Sequence, residues 1–125
     1  MIFDTDILIW VQRGNEKAAK LVDGSPERLI SIYTYMELLQ GAKNKEQNAR
    51  SIRYLKEGEF KTLPLTENIG HRAAVYVEEY ALSHGLKAGD ALLAATAVEY
   101  GETLCTGNAK HFGMIRELKM KVLKA

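Results

Sequence analysis

Three acidic side chains, far apart along the chain, stand where charge is useful: Asp4 within Asp4-Thr5-Asp6, Glu37 and Asp90. Each falls where a strand or loop passes into a helix, so exposed N–H groups and the helix macrodipole favour the ionised carboxylate. Ionised carboxylates offer hard oxygen donors, and a hard divalent cation is their natural ligand. Taken singly, each has an ordinary structural reading. Asp4 fits an N-cap. Thr34-Tyr35-Met36-Glu37 fits a capping box, with Glu37 in the first turn of its helix. Asp90 fits a helix-dipole partner in the first turn of an apolar helix. Gathered together they are harder to explain, because two like charges roughly 5 Å apart repel by about 3 kcal/mol at an effective dielectric near 20. A fold that assembles them needs a cation. Whether they meet is a tertiary question that periodicity leaves open.

Other polar residues take secondary places. Thr5 and Thr106 can hydrogen-bond carboxylates, or serve simply as caps and turns. Asp6 reads as a helix-start acid facing water, with an outer-shell role beside the metal as the alternative. His71, His84 and His111 lack zinc spacing, and His111 reads as a surface histidine, with an approach to phosphate as the alternative. Cys105 sits in an apolar stretch and reads as a buried strand thiol, and a lone cysteine favours a reducing compartment. Trp10 and the six tyrosines, Tyr33 and Tyr35 among them, read as core or dimer-face residues.

The elements that must position these groups alternate. Ile2-Phe3 is a short strand ending at Asp4. A helix follows, broken by Gly14, and a second covers Asn15 to Val22. Arg28 to Ile32 is the second strand, Thr34 starts a helix through Leu39, and a polar helix spans Lys45 to Glu57. Phe60 to Leu65 is strand-like. A long helix opens at Thr66 and ends at Gly85, with Ile69, Ala73, Val77 and Ala81 recurring at i+4 on one face. Ala88 to Tyr100 is a buried helix, Thr103 to Thr106 a strand, Asn108 to Phe112 a short turn or helix, and Lys121 to Leu123 an edge strand. This alternation predicts an α/β domain with a mainly parallel sheet and helices on both faces. Ligands of such sheets bind beyond the carboxyl ends of the strands, where strand order reverses.

Composition narrows the rest. The 125 residues, 46% of them hydrophobic, suffice for one domain spanning 1–125 with a real core. A net charge of +1 identifies no partner class. Arg50, Arg53 and Lys56 cluster locally, as do Lys119, Lys121 and Lys124. Solvated helix faces account for them, and a phosphate-binding rim is the alternative. No basic leader precedes Asp4 and no run approaches the roughly 18 apolar residues of a membrane span, so a cytoplasmic protein without membrane contact is expected.

Four motifs, in order, resemble those of the PIN-domain nucleases, and specifically the VapC-type toxins of toxin–antitoxin pairs. They are Asp4-Thr5-Asp6-Ile7-Leu8-Ile9, Ser31 through Glu37-Leu38-Leu39-Gln40-Gly41-Ala42, Gly89-Asp90-Ala91-Leu92-Leu93-Ala94-Ala95-Thr96-Ala97, and Leu104-Cys105-Thr106-Gly107-Asn108-Ala109-Lys110-His111-Phe112. The resemblance implies a three-layer α/β/α PIN-like fold and metal-dependent endonucleolytic cleavage of structured RNA, with transfer or ribosomal RNA both plausible. It also implies a homodimer and a cognate antitoxin protein. Carried onto this chain, it makes Asp4, Glu37, Asp90 and Asn108 the catalytic set. Asp4 and Asp90 would bind Mg²⁺, or Mn²⁺, with Glu37 assisting; Thr5, Asp6 and Thr106 would support them. Asn108 stands where many relatives carry a fourth acid, and its amide brings an oxygen ligand without charge.

Three rivals remain at this stage. One is an RNA-processing PIN nuclease outside any toxin pair. Another is a non-catalytic PIN-like module that binds RNA or protein. The third, a phosphatase of the haloacid-dehalogenase type, shares the Asp-x-Asp opening, but Leu8 and the absence of a late paired-Asp motif argue against it.

Overall fold

Three consecutive pairs of residues determine the layering. In a strand successive side chains point to opposite faces. Ile2, Leu29 and Leu104 join one apolar cluster, while their neighbours Phe3, Ile30 and Cys105 join the other. The sheet is therefore covered on both sides. The computed structural model describes residues 1–124; the final position of the expected 1–125 unit lies outside the described residues.

The strands are β1 (Ile2–Phe3), β2 (Leu29–Ser31), β3 (Lys61–Leu63), β4 (Leu104–Thr106) and β5 (Met120–Val122), and the helices are α1 (Thr5–Gln12), α2 (Glu16–Asp23), α3 (Ile32–Gln40), α4 (Lys45–Glu57), α5 (Glu67–His84) and α6 (Ala88–Glu99). A single turn of 3₁₀ helix covers Ala109–His111. Strand order is β3-β2-β1-β4-β5 and every pairing is parallel. The expected mainly parallel sheet is thus parallel throughout.

α5 and α6 pack along each other on the face of Ile2, where the small residues Ala91, Ala94, Ala95 and Ala97 are fully buried. The long-helix face is Ile69, Ala73 and Tyr76, with Val77 partly buried against it. The opposite face carries Ile7 and Leu8 of α1, Ala18 and Val22 of α2, Leu38 of α3 and Leu55 of α4. Gly85 takes φ +69 at the end of α5, the left-handed conformation that stops a helix without a Cβ penalty.

From β1 the chain moves outward through β2 to β3, and from β4 it moves the other way to β5. Strand order therefore reverses between β1 and β4. Asp4 leaves one side of that crevice, and Gly107 and Asn108 leave the other.

Candidate active site and metal centre

Asp4 caps α1 directly after β1. Its Oδ1 accepts from the Thr5 amide at 2.7 Å, and its Oδ2 accepts from the Thr106 hydroxyl at 2.7 Å. Its own amide donates to the Cys105 carbonyl at 2.9 Å, extending the β1–β4 ladder by one residue. Thr106 Oγ1 in turn accepts from the Asn108 amide at 3.0 Å. The carboxylate is thereby held across the switch point by one backbone amide and one hydroxyl.

Thr5 carries the second connection. Its hydroxyl donates to Glu37 Oε1 at 2.5 Å, joining α1 to α3 across 32 residues of sequence. Asp6 makes the third: its Oδ2 accepts from the Gly107 amide and from Asn108 Nδ2, both at 3.0 Å. Asp6 Oδ1 is buried and has no hydrogen-bond partner among the described residues. Asp90, in the first turn of α6, stands 3.2 Å from His111 Nδ1.

Electrostatics couples these groups. Burial, the Asp6 charge and, more weakly, the Asp90 charge push Asp4 from its ordinary 3.8 up to about 6, against the hydrogen bonds from Thr106 and Thr5. Burial also raises Asp6, partly offset by the Gly107 amide. Asp90 is raised by burial and by Glu37, and lowered by His111. Tyr33 lies within the same field: burial, Glu37, Asp90 and Asp4 all raise its phenol. These mutual fields place Asp4, Asp6, Glu37 and Asp90 in one electrostatic neighbourhood.

Several expectations need correction. Glu37 is not in the first turn of its helix, because α3 starts earlier: Ser31 is the N-cap and accepts from the Thr34 amide at 3.0 Å. Thr34 is therefore inside the helix, no capping box forms, and Glu37 is free to meet Thr5. Asp6 does not simply face water, since Gly107 and Asn108 hold it. His111 remains exposed, yet it is the basic neighbour of Asp90. Asn108 commits its amide nitrogen to Asp6, so any contribution as a ligand falls to its oxygen.

Tyr33 joins the site although no sequence motif singles it out. It lies one helical turn before Glu37 on the same face of α3, an i,i+4 relation that the sequence does display. Two glycines make room for the assembly. A Cβ at Gly89 would fall 2.2 Å from the Tyr33 hydroxyl oxygen, and one at Gly107 would fall 2.3 Å from the Trp10 ring and 2.7 Å from Asp6 Oδ2.

The donor set is hard and oxygen-only, which suits Mg²⁺ or Mn²⁺. The unpartnered Asp6 Oδ1 is an acceptor that a cation would satisfy, and Asp4, raised first by burial and then by the Asp6 charge, is a carboxylate that a cation would stabilise. Among the described residues no three His, Cys, Asp or Glu side chains stand as a ready-made cage. Mg²⁺ does not require one, since it commonly takes one or two carboxylates and completes its shell with water and substrate phosphate. The residues fit the ion.

The family model for the PIN domain matches residues 1–116. The chain belongs to the PIN-domain family. Within that family it is similar to ribonuclease VapC10 of Mycobacterium tuberculosis, 34% identical over 123 residues, 95% of this chain and 90% of that one. Among solved structures it is similar to a toxin–antitoxin complex from Klebsiella pneumoniae, with 29% identity, TM-score 0.82, and 99% and 98% of the two chains covered. It is also similar to VapBC-1 from nontypeable Haemophilus influenzae, with 27% identity, TM-score 0.77, and 98% of each chain covered. This PIN domain therefore has VapC-type relatives over nearly its whole length.

Proposed function

We propose that this VapC-type PIN domain, read as one unit over 1–125, is a divalent-metal-dependent endoribonuclease and the toxin of a toxin–antitoxin pair. The observation that carries the reading is the Thr5 bridge. Glu37 accepts from the hydroxyl of the residue after Asp4, while the Asp90 charge acts on Asp4 and the Glu37 charge acts on Asp90.

In this reading Asp4 and Asp90 hold Mg²⁺, with Mn²⁺ able to replace it, and Glu37 assists. When bound, the ion supplies Lewis-acid polarisation of the scissile phosphate and neutralises developing charge. Glu37, oriented by Thr5, takes a proton from the attacking water. Thr106 and the Thr5 amide keep Asp4 in place. Asn108, through Asp6, steadies the loop after β4. Water attack on phosphorus breaks the bond to the ribose 3′ oxygen, leaving 5′-phosphate and 3′-hydroxyl ends.

The substrate is structured RNA, of the transfer or ribosomal class. The partners are a cognate antitoxin, in keeping with the names of the similar complexes, and a second copy of the chain. Among the described residues no helix is long and apolar enough to cross a membrane; the reading places the protein in the cytoplasm. Sequencing of RNA ends after induction tests the proposal, comparing wild type with Asp4→Asn. Cuts bearing 5′-phosphate that vanish in a folded Asp4→Asn chain support it. A cyclic phosphate end, or cuts that persist in the variant, overturns it.

A further inference from the structure

The acids explain how a phosphodiester would be cut, but not what holds a polyanion against a negative site. A cleft of about 320 Å³ begins at Glu37 and runs between α1, the end of α3 and the start of α4. Three cations line it: Arg13, Lys43 and Arg50. Each comes from a different stretch. Arg13 is the C-cap of α1, Lys43 lies in the connection after α3, and Arg50 is in α4. All three are exposed. Gln12 and Gln47 stand between them as neutral hydrogen-bonding groups. Among the described residues Glu37 is the only acid lining the cleft, and it stands at the end where the reaction site begins.

We propose that this cleft is the track for the RNA backbone adjoining the scissile phosphate, with Arg13, Lys43 and Arg50 each taking one phosphate. The inference rests on the nuclease reading and extends it.

The spacing suits that role. Arg13 follows Asp4 along the axis of α1, and nine residues of helix rise about 13 Å, the reach of a few nucleotides. Gln47 and Arg50 are i, i+3 neighbours on α4 and share one face, and Lys43 joins them from the preceding connection, where its amide donates to Gln47 Oε1 at 2.9 Å. Arg53 and Lys56 do not line the cleft, which removes two of the three cations in the cluster visible in the sequence. Arg50 pairs with Glu46 only at 3.8 Å, with both side chains exposed, a contact that a phosphate displaces at little cost.

A larger cleft of about 660 Å³ against α5 is more evenly charged, with Arg72, Arg116 and His71 set against Glu79, Glu99 and Glu117. Its Arg72 is held by Glu99 at 2.5 Å and by Glu117 at 3.1 Å, and Glu79 adds further negative charge.

The test uses the full chain carrying Asp4→Asn, and a short fluorescein-labelled single-stranded RNA, titrated by anisotropy at several salt concentrations. Replacing Arg13, Lys43 and Arg50 together with Ala should weaken binding about tenfold or more at low salt. It should also reduce the slope of log affinity against log salt by about 2, since each single-strand phosphate contact contributes about 0.7. Arg53→Ala with Lys56→Ala should leave the slope unchanged, and Lys43→Arg should keep it. In the otherwise wild-type chain the triple variant should lose kcat/KM by the same factor while kcat at saturating RNA holds.

An unchanged slope, or an equal loss in the Arg53 and Lys56 variant, overturns the assignment. So does retained RNA affinity with lost antitoxin affinity, because the cleft would then seat a protein. If the Asp4→Asn chain still cleaves RNA, the underlying site reading has failed rather than the track.

Discussion

Asp4 carries the largest electrostatic strain among the site's acids, and its consequences have a definite sign. Its folded pKa of about 6 lies above the ordinary 3.8. As pH rises from 3.8 through 6 the folded state gives up its proton later than the unfolded chain, so stability is lost across that window and stays lost above it. In metal-free buffer Asp4→Asn should therefore be more stable than wild type at pH 7 by about 1 to 2 kcal/mol, after allowing for weaker hydrogen bonds. The difference should vanish below pH 4; urea unfolding at both pH values measures it. At limiting Mg²⁺, kcat/KM should climb with pH as Asp4 ionises near 6 and then level, and more Mg²⁺ should move the midpoint down. Thr5→Val removes the 2.5 Å hydrogen bond to Glu37. A hydrogen bond to a charged group contributes about 1.5 to 3 kcal/mol, so kcat should fall at least about tenfold with the fold unchanged by circular dichroism.

At the scale of elements, the site depends on helices starting in the right place and on glycines that admit large neighbours. Ser31, not Thr34, opens α3, and this sets Glu37 against Thr5. Ser31→Ala should cost about 1 kcal/mol of stability, as loss of an N-cap does, and should lower activity more than stability accounts for. Gly107→Ala places a Cβ against Trp10 and Asp6 at once. Overpacking of this kind costs about 1 to 3 kcal/mol. The denaturation midpoint should drop, and the Asp6 contacts to Gly107 and Asn108 should be lost with it.

For the whole molecule, the all-parallel sheet concentrates helix starts and acids at one edge, between β1 and β4. Chelation should abolish cleavage, and Mg²⁺ or Mn²⁺ should restore it. Divalent metal should also raise the melting temperature of wild type and not of Asp4→Asn, by mass action on the folded state alone. Expression should arrest growth, and co-expression of the product of a small adjacent gene should relieve the arrest. Growth that is unaffected while purified protein cuts RNA would favour a processing role. Light scattering should give the mass of two chains.

Much of this was legible along the chain because it is local chemistry. Strand alternation, the breaks at Gly14 and Gly85, and the polar openings beside Asp4 and Asp90 follow from short-range rules, and the elements fall within a few residues of their expected limits. Glu37 shows where such rules fail. Thr34-x-x-Glu37 is a sound capping box by itself, but Ser31 caps better once β2 ends at that residue. Asp6 and His111 looked like surface groups because their partners, Gly107 and Asn108 in one case and Asp90 in the other, are distant in sequence.

The residue types, the succession of strands and helices and the hard-oxygen character of the donors can be read along the chain. Folding in three dimensions settles which donors share a field, that Tyr33 and His111 join them, and that Arg13 and Lys43 line one cleft with Arg50 while Arg53 and Lys56 do not. The reason is physical. Propensity and capping act over a turn or two of chain, whereas charge coupling and close packing depend on distance in space, which the chain sets only when β1 and β4 pair.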